Sequence, residues 1–202
     1  MQSYITKEIL DHTISWEEYY ALIKQYVETE DKPELYRVEK MHRYTADNLR
    51  RMDHVLATIN VESKLYNQLN AVRTPWTWVV LAEPWCGDVS QEIGALYTLA
   101  TCNEGIAFRI LLSDSHPQVL DHYTTGGSRS IPKLICLRTD TLAEIGTWGP
   151  RPQALQQIVM ANKDRTDISF GDKVRMIHGW YEADATRSIQ DEFIDLIKSW
   201  NS

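Results

Sequence analysis

A chain of 202 residues with 43% hydrophobic and 24% charged positions fits one globular domain, or one domain with a substantial extension. Its net charge of -7 argues against nonspecific polyanion binding, which needs clustered Lys and Arg; the compact basic pair of the amino-terminal half, Arg50 and Arg51, is too small for that role. Three irregularly spaced cysteines make no secreted disulfide framework, Lys7, Glu8 and Asp11 interrupt any secretory signal, and the apolar run from Trp76 to Ala82 is too short to cross a bilayer; the expectation is a cytoplasmic protein, with no nucleic-acid or membrane partner.

The first seventy or so residues have helical spacing. Ser15 and Glu18 make a capping box, after which Tyr19, Leu22, Ile23, Tyr26 and Val27 fall on one helical face that needs burial. A second helical pattern runs from about Pro33 through Tyr44, and a third starts at Thr45 with Leu49, Met52, Leu56 and Ile59. Asn60 is a candidate cap for a short helix holding Leu65 and Leu69.

From Thr74 short apolar runs alternate with helical stretches. "WTWVVLA" (76–82) reads as a buried strand, 87–101 as a helix, "IAFRILL" (106–112) as a strand and 117–123 as a short helix. "KLICLR" and "LAEIGTW" then flank Thr139 and Asp140 as an antiparallel hairpin, and a helix over 152–162 closes the unit. The order β-α-β-α-β-β-α implies an α/β domain whose mixed sheet is covered on both faces. In the last forty residues Phe170, Val174, Ile177 and Tyr181 mark one helix, and Asp184 is a candidate cap for another carrying Ile189, Phe193, Ile194 and Ile197. The division is therefore a helical segment (1–73), an α/β domain (74–162) and a second helical segment (163–202).

Cys86 falls at a strand-to-helix junction, in "AEPWCGDVS". Unpaired backbone N–H groups and the helix dipole favour a thiolate there, whereas Asp88 adds opposing negative charge two residues away. The position that would complete a Cys-x-x-Cys motif is Val89. Later in the chain Ile131 and Pro132 directly precede a strand, which predicts a turn with a cis Ile-Pro bond.

The Trp-Cys-Gly segment after a strand, the Ile-Pro before a later strand and the order of elements together resemble the thioredoxin superfamily, over roughly residues 74–162. The segments "AEPWCGDVSQ", "RSIPKLI", "TWGPRP", "NLRRM" and "GWYEAD" resemble a bacterial thioredoxin-like subfamily with helical additions at both ends, which extends the resemblance over nearly the whole chain. It implies a thioredoxin-like fold, Cys86 as nucleophile, and a substrate-binding surface of Trp85, Gly87, Asp88, Ile131 and Pro132, the cis-proline loop pairing with an extended peptide. It also points to Arg151 as a neighbour of that site.

Two departures bear on activity. Val89 replaces the resolving cysteine, and Val80 stands where family members often carry a buried acid that assists proton transfer. The leading expectation is monothiol exchange at Cys86, with a protein or low-molecular-weight thiol or disulfide as partner and an external thiol as resolving agent. The alternative is a non-catalytic binding module that keeps the cis-proline groove for a partner peptide. Cys102 and Cys136 read as inert thiols, His116 and His122 as a poor metal pair, and Gly126 and Gly127 lack the companions of a phosphate loop; no metal and no cofactor is expected. The sequence leaves the oligomeric state open.

Overall fold

The computed structural model describes residues 3–28 and 39–201, with backbone alone over 39–43. Four strands, β1 (Trp76–Ala82), β2 (Ile106–Leu112), β3 (Lys133–Arg138) and β4 (Glu144–Trp148), form one sheet in the order β2-β1-β3-β4. β1 and β2 run parallel, joined through helix α5 (Gly87–Ala100), while the β1-β3 and β3-β4 pairs are antiparallel. The mixed sheet expected from the sequence is therefore present. Every residue of β1 is buried, as an inner strand covered on both faces must be.

Alternation along β1 divides the core. Trp76, Trp78, Val80 and Ala82 point to one face, where they meet α5 and four further helices: α2 (Trp16–Glu28), α3 (Glu39–Thr58), α4 (Ser63–Asn70) and α9 (Arg187–Trp200). Val79 and Leu81 point to the other face, with Leu111, Ile135 and Leu137. That face is closed by Ile5 and Ile9 around the short helix α1 (Lys7–Asp11) and by Val119 and Tyr123 at α6 (Pro117–His122). α7 (Gln153–Asn162), α8 (Phe170–Asp184) and a single 3-10 turn over Ser113–Ser115 complete the described elements. The terminal helices thus share the larger core with the sheet. Among the described residues no helix is long and apolar enough to cross a membrane.

The capping box forms as expected: the Glu18 N–H donates to Ser15 Oγ (3.2 Å) and the Ser15 N–H to Glu18 Oε2 (2.7 Å). Three boundaries differ from the sequence reading. No helix end occurs at Thr45, because α3 runs unbroken from Glu39 to Thr58 with Thr45 fully buried; residues 33–38 lie outside the described part. The N-cap of α4 is Glu62 rather than Asn60, and its side chain makes no capping bond. Gln190 of α9 does that work from outside, accepting from the Glu62 N–H (2.8 Å) and donating to the Asn60 carbonyl (3.2 Å). The N-cap of α9 is Thr186, in the left-handed region at φ 65°; Asp184, the last residue of α8, still satisfies the Ser188 N–H (3.1 Å).

The edge of the sheet at β2 is partly covered. Ile14 exchanges two backbone hydrogen bonds with Ile110 (2.8 and 2.9 Å), and Arg109 donates to the Thr13 carbonyl (2.8 Å). Across the sheet, α9 lays Phe193 against Trp78 and Trp148 (ring centroids 5.5 Å apart in each case) and Trp200 against Trp76 (6.3 Å). The Trp200 indole sits so close over Gly146 that a Cβ there would overlap its nitrogen.

Candidate functional site

β1 delivers the chain to the site at its carboxyl end. After Ala82 the segment Glu83-Pro84-Trp85 turns, with the Cys86 N–H bonded to the Glu83 carbonyl (3.1 Å), and Cys86 becomes the N-cap of α5 at φ -80° and ψ 122°. Asn48 of α3 fixes this turn from the side, donating from its buried amide to the Pro84 carbonyl (2.9 Å). Cys86 Sγ lies 3.5 Å from the Ile131 carbonyl oxygen, to which the thiol donates. The Ile131-Pro132 bond is cis, as the sequence predicts, and a second cis bond joins Gly149 and Pro150. These two loops pack on each other: Gly149 has φ +108°, and a Cβ on it would overlap the Pro132 carbonyl oxygen, so both the dihedral and the contact require glycine.

Burial pushes the Cys86 thiol up to about 12, and the negative charge of Asp88 acts in the same direction. The backbone N–H groups of Val89 and Asp88 and the charge of Arg151 oppose this without overcoming it. Cys86 retains some exposed surface, but its sulfur is surrounded by protein on the Ile131 side. At neutral pH it is a thiol.

Asp88 is held from three directions. Arg151 grips it with two parallel bonds, Nε to Oδ1 (2.9 Å) and Nη2 to Oδ2 (2.6 Å), and Tyr181 of α8 donates to Oδ1 (3.0 Å). The Arg151 Nη1 donates onward to Gln156 (2.9 Å). With side chains 18% and 12% exposed, Arg151 and Asp88 form a largely desolvated pair. The five segments that carried the subfamily resemblance therefore converge: Asn48, Arg151 and Tyr181 come from "NLRRM", "TWGPRP" and "GWYEAD", and they meet Cys86, Asp88, Ile131 and Pro132.

The other sequence-predicted residues fall as follows. Trp85 is half-buried and leans toward the loop after β2, donating to Asp114 Oδ2 (3.1 Å). Gly87 lies under His178 of α8, whose Cε1 would be 3.2 Å from an added Cβ. Val80 and Val89 are both core residues. Cys102 follows the far end of α5, about 20 Å of helix away. Cys136 is buried in β3 opposite Trp78. No described cysteine stands ready to resolve a disulfide at Cys86. Among the described residues no group of three or more His, Cys, Asp or Glu is placed to hold a metal ion.

Two buried acids escaped the sequence reading. Glu83, 1% exposed, accepts from the Asp114 N–H (2.7 Å) and Ser113 Oγ (3.2 Å), tying the turn after β1 to the loop after β2. Burial raises its carboxyl to about 7 despite these donors. Glu92, one turn beyond Asp88 on α5 and 2% exposed, is raised well above the carboxylate range by burial and by the charges of Asp88, Asp184 and Glu192. A carboxyl in an otherwise apolar helical face, as in "VSQEIGALY", is the signal that marked Glu92; for Glu83 its place at a strand end beside the cysteine was the only one.

A mixed four-stranded sheet with a cysteine at the first helix start and a cis-proline opposite it defines a thioredoxin-type protein. A family model described as thioredoxin matches residues 35–167, and the chain belongs to that family. Among solved structures, a protein of unknown function from Pseudomonas aeruginosa, PA1234, superposes with a TM-score of 0.63 at 15% identity over 98% of each chain. An HIV epitope scaffold matches with a TM-score of 0.53 at 16% identity, over 92% of this chain and 98% of its own. At these identities the likeness is one of fold. No curated protein matches.

Proposed function

We propose that this thioredoxin-fold protein is a binding module that holds an extended segment of a partner against the Ile131-Pro132 loop, with Cys86 kept as a protonated thiol beneath it. The observation that carries this reading is the environment of Cys86: burial and Asp88 push the thiol up to about 12, and the adjacent position for a resolving partner is Val89, only 1% exposed in the core. Exchange chemistry needs a thiolate to attack and a second thiol to release the product, and both are disfavoured here. The cis-proline loop and the helix start it faces remain as a recognition surface.

The test is selection from a random peptide library on the wild-type protein and on Cys86→Ser. Enrichment of the same sequences with similar affinity, and no disulfide-linked adduct in the wild type, is the expected result. Peptides retained by the wild type only as covalent adducts, and lost altogether from Cys86→Ser, would overturn it.

That second outcome belongs to the other reading, monothiol exchange, which is favoured by the position of Sγ at a helix start beside the cis-proline loop. In it the Cys86 thiolate attacks a disulfide, one new S–S bond forms and one breaks, and the departing thiolate takes up a proton. An external thiol then attacks the mixed disulfide and returns Cys86 to the reduced state.

A further inference from the structure

α3, α5, α8 and the start of α9 line an open cavity of about 710 Å³ on the flank of the Cys86 helix. Its apolar lining includes Val55, Pro152 and Ile189, and its polar lining includes Arg51, Glu92 and His178. The volume is far beyond the roughly 30 Å³ share of one water and lies within the range of about 300–1,000 Å³ typical of small-molecule sites.

The polar groups define what would fit. Glu92 is 2% exposed, and its Oε1 has no hydrogen-bond partner among the described residues. A buried acceptor without a donor is destabilising, and native interiors leave few of them. Tyr181 hydrogen-bonds to Glu92, and the charged side chains acting on it, Asp88, Asp184 and Glu192, are all acidic; a cationic donor would satisfy Oε1 and hold the carboxyl in its ionised form. On the α3 wall the situation is reversed. Arg51 is half-buried and donates to Asn48 Oδ1 (2.8 Å), but no acid among the described residues forms an ion pair with it; Asp47, on the same helix, is paired with Arg50. A guanidinium with five N–H donors and one such neutral partner retains capacity for a carboxylate. His178 lies within reach of Gln91 (3.4 Å to Nδ1) and stays neutral, since burial and Arg51 lower its basicity.

We propose that this cavity binds a small zwitterion of the α-amino acid class, its ammonium group on Glu92 and its carboxylate on Arg51. The site is separate from the peptide surface at Ile131-Pro132 and does not depend on the reading given to that surface.

The experiment uses the full chain and three probe sets: free L-amino acids, their methyl esters, which lack the carboxylate, and their N-acetyl derivatives, which lack the ammonium. Thermal shift screens the sets and calorimetry follows the best amino acid. The expected result is saturable binding of at least one amino acid, with its ester and its N-acetyl derivative each weaker by about tenfold or more. Arg51→Gln should weaken the amino acid and leave the ester unchanged; Glu92→Gln should weaken the amino acid and leave the N-acetyl derivative unchanged. Should Glu92→Gln fail to fold, Arg51→Gln and the derivative series carry the test on their own. Absence of binding by every amino acid, equal binding of the N-acetyl derivatives, or unchanged affinity in Arg51→Gln would overturn the proposal.

Discussion

At Cys86 two opposing effects of one position meet, and their magnitudes decide the outcome. A helix start favours a thiolate, yet burial and Asp88 outweigh it and leave the thiol at about 12. Against a free cysteine near 8.5, the thiolate fraction falls by more than three decades, and the higher intrinsic nucleophilicity of a basic thiolate restores about one and a half of them. Alkylation of Cys86 at neutral pH, followed by peptide mass spectrometry, is expected to run about a hundredfold slower than that of free cysteine. Its rate should rise steeply through the alkaline range. Asp88→Asn tests the second cause: it removes the charge that raises the thiol and leaves that of Arg151, so Cys86 should react faster. The same substitution strands a desolvated guanidinium, and the expected loss of stability in urea unfolding is toward the low end of about 3–5 kcal/mol, because Asn keeps one acceptor. A variant with unchanged stability and unchanged alkylation would show that the Asp88–Arg151 pair does neither job.

Helix α9 shows why the terminal segments cannot be treated as decoration. Phe193 and Trp200 fill the space between Trp76, Trp78 and Trp148, so removing α9 would bare an aromatic face of the sheet. Phe193→Ala is expected to cost about 3–5 kcal/mol in urea unfolding. Gly146→Ala should also destabilise, since a rigid indole rather than a flexible side chain occupies the space of the new methyl. A Gly146→Ala protein as stable as the wild type would mean that Trp200 is not held where it stands. What the sequence made legible at this scale follows physical reach. The bounds of β1 and β2 were legible because an apolar run between turn signals is a local pattern. The false break at Thr45 came from reading a polar residue as a boundary where α3 buries it against the core. The cap of α4 by Gln190 joins residues more than a hundred positions apart, and no local pattern reports such a bond. The candidate site divides the same way: Cys86 and Ile131-Pro132 stood out by motif, whereas the grip on Asp88 joins Arg151 and Tyr181 across the chain, where only a resemblance hinted at it.

The whole molecule carries net charge -7, and among the described residues it still buries two carboxyl groups, which shapes how its stability depends on pH. Glu83 ordinarily titrates near 4.5 in the unfolded chain and at about 7 in the fold, with burial the leading cause. Between those values the unfolded state ionises freely while the folded state holds the proton, so the folded state binds more protons and stability falls as pH rises. The contribution is therefore complete below about 4.5, diminishes through neutral pH and is gone above about 7. The span corresponds to about 3 kcal/mol at 1.36 kcal/mol per pH unit. Glu92 is also raised well above the carboxylate range, chiefly by burial, and adds a decline of the same sign. Urea unfolding at pH 5 and pH 8 is expected to show the wild type more stable at pH 5. Glu83→Gln keeps an acceptor for the Asp114 N–H and the Ser113 hydroxyl but has nothing to ionise. Its stability should match the wild type most closely at pH 5 and exceed it at pH 8, with the remaining slope due to Glu92. If the variant declines between pH 5 and pH 8 as steeply as the wild type, Glu83 is not the titrating group, and the tie between the turn after β1 and the loop after β2 is insensitive to its charge.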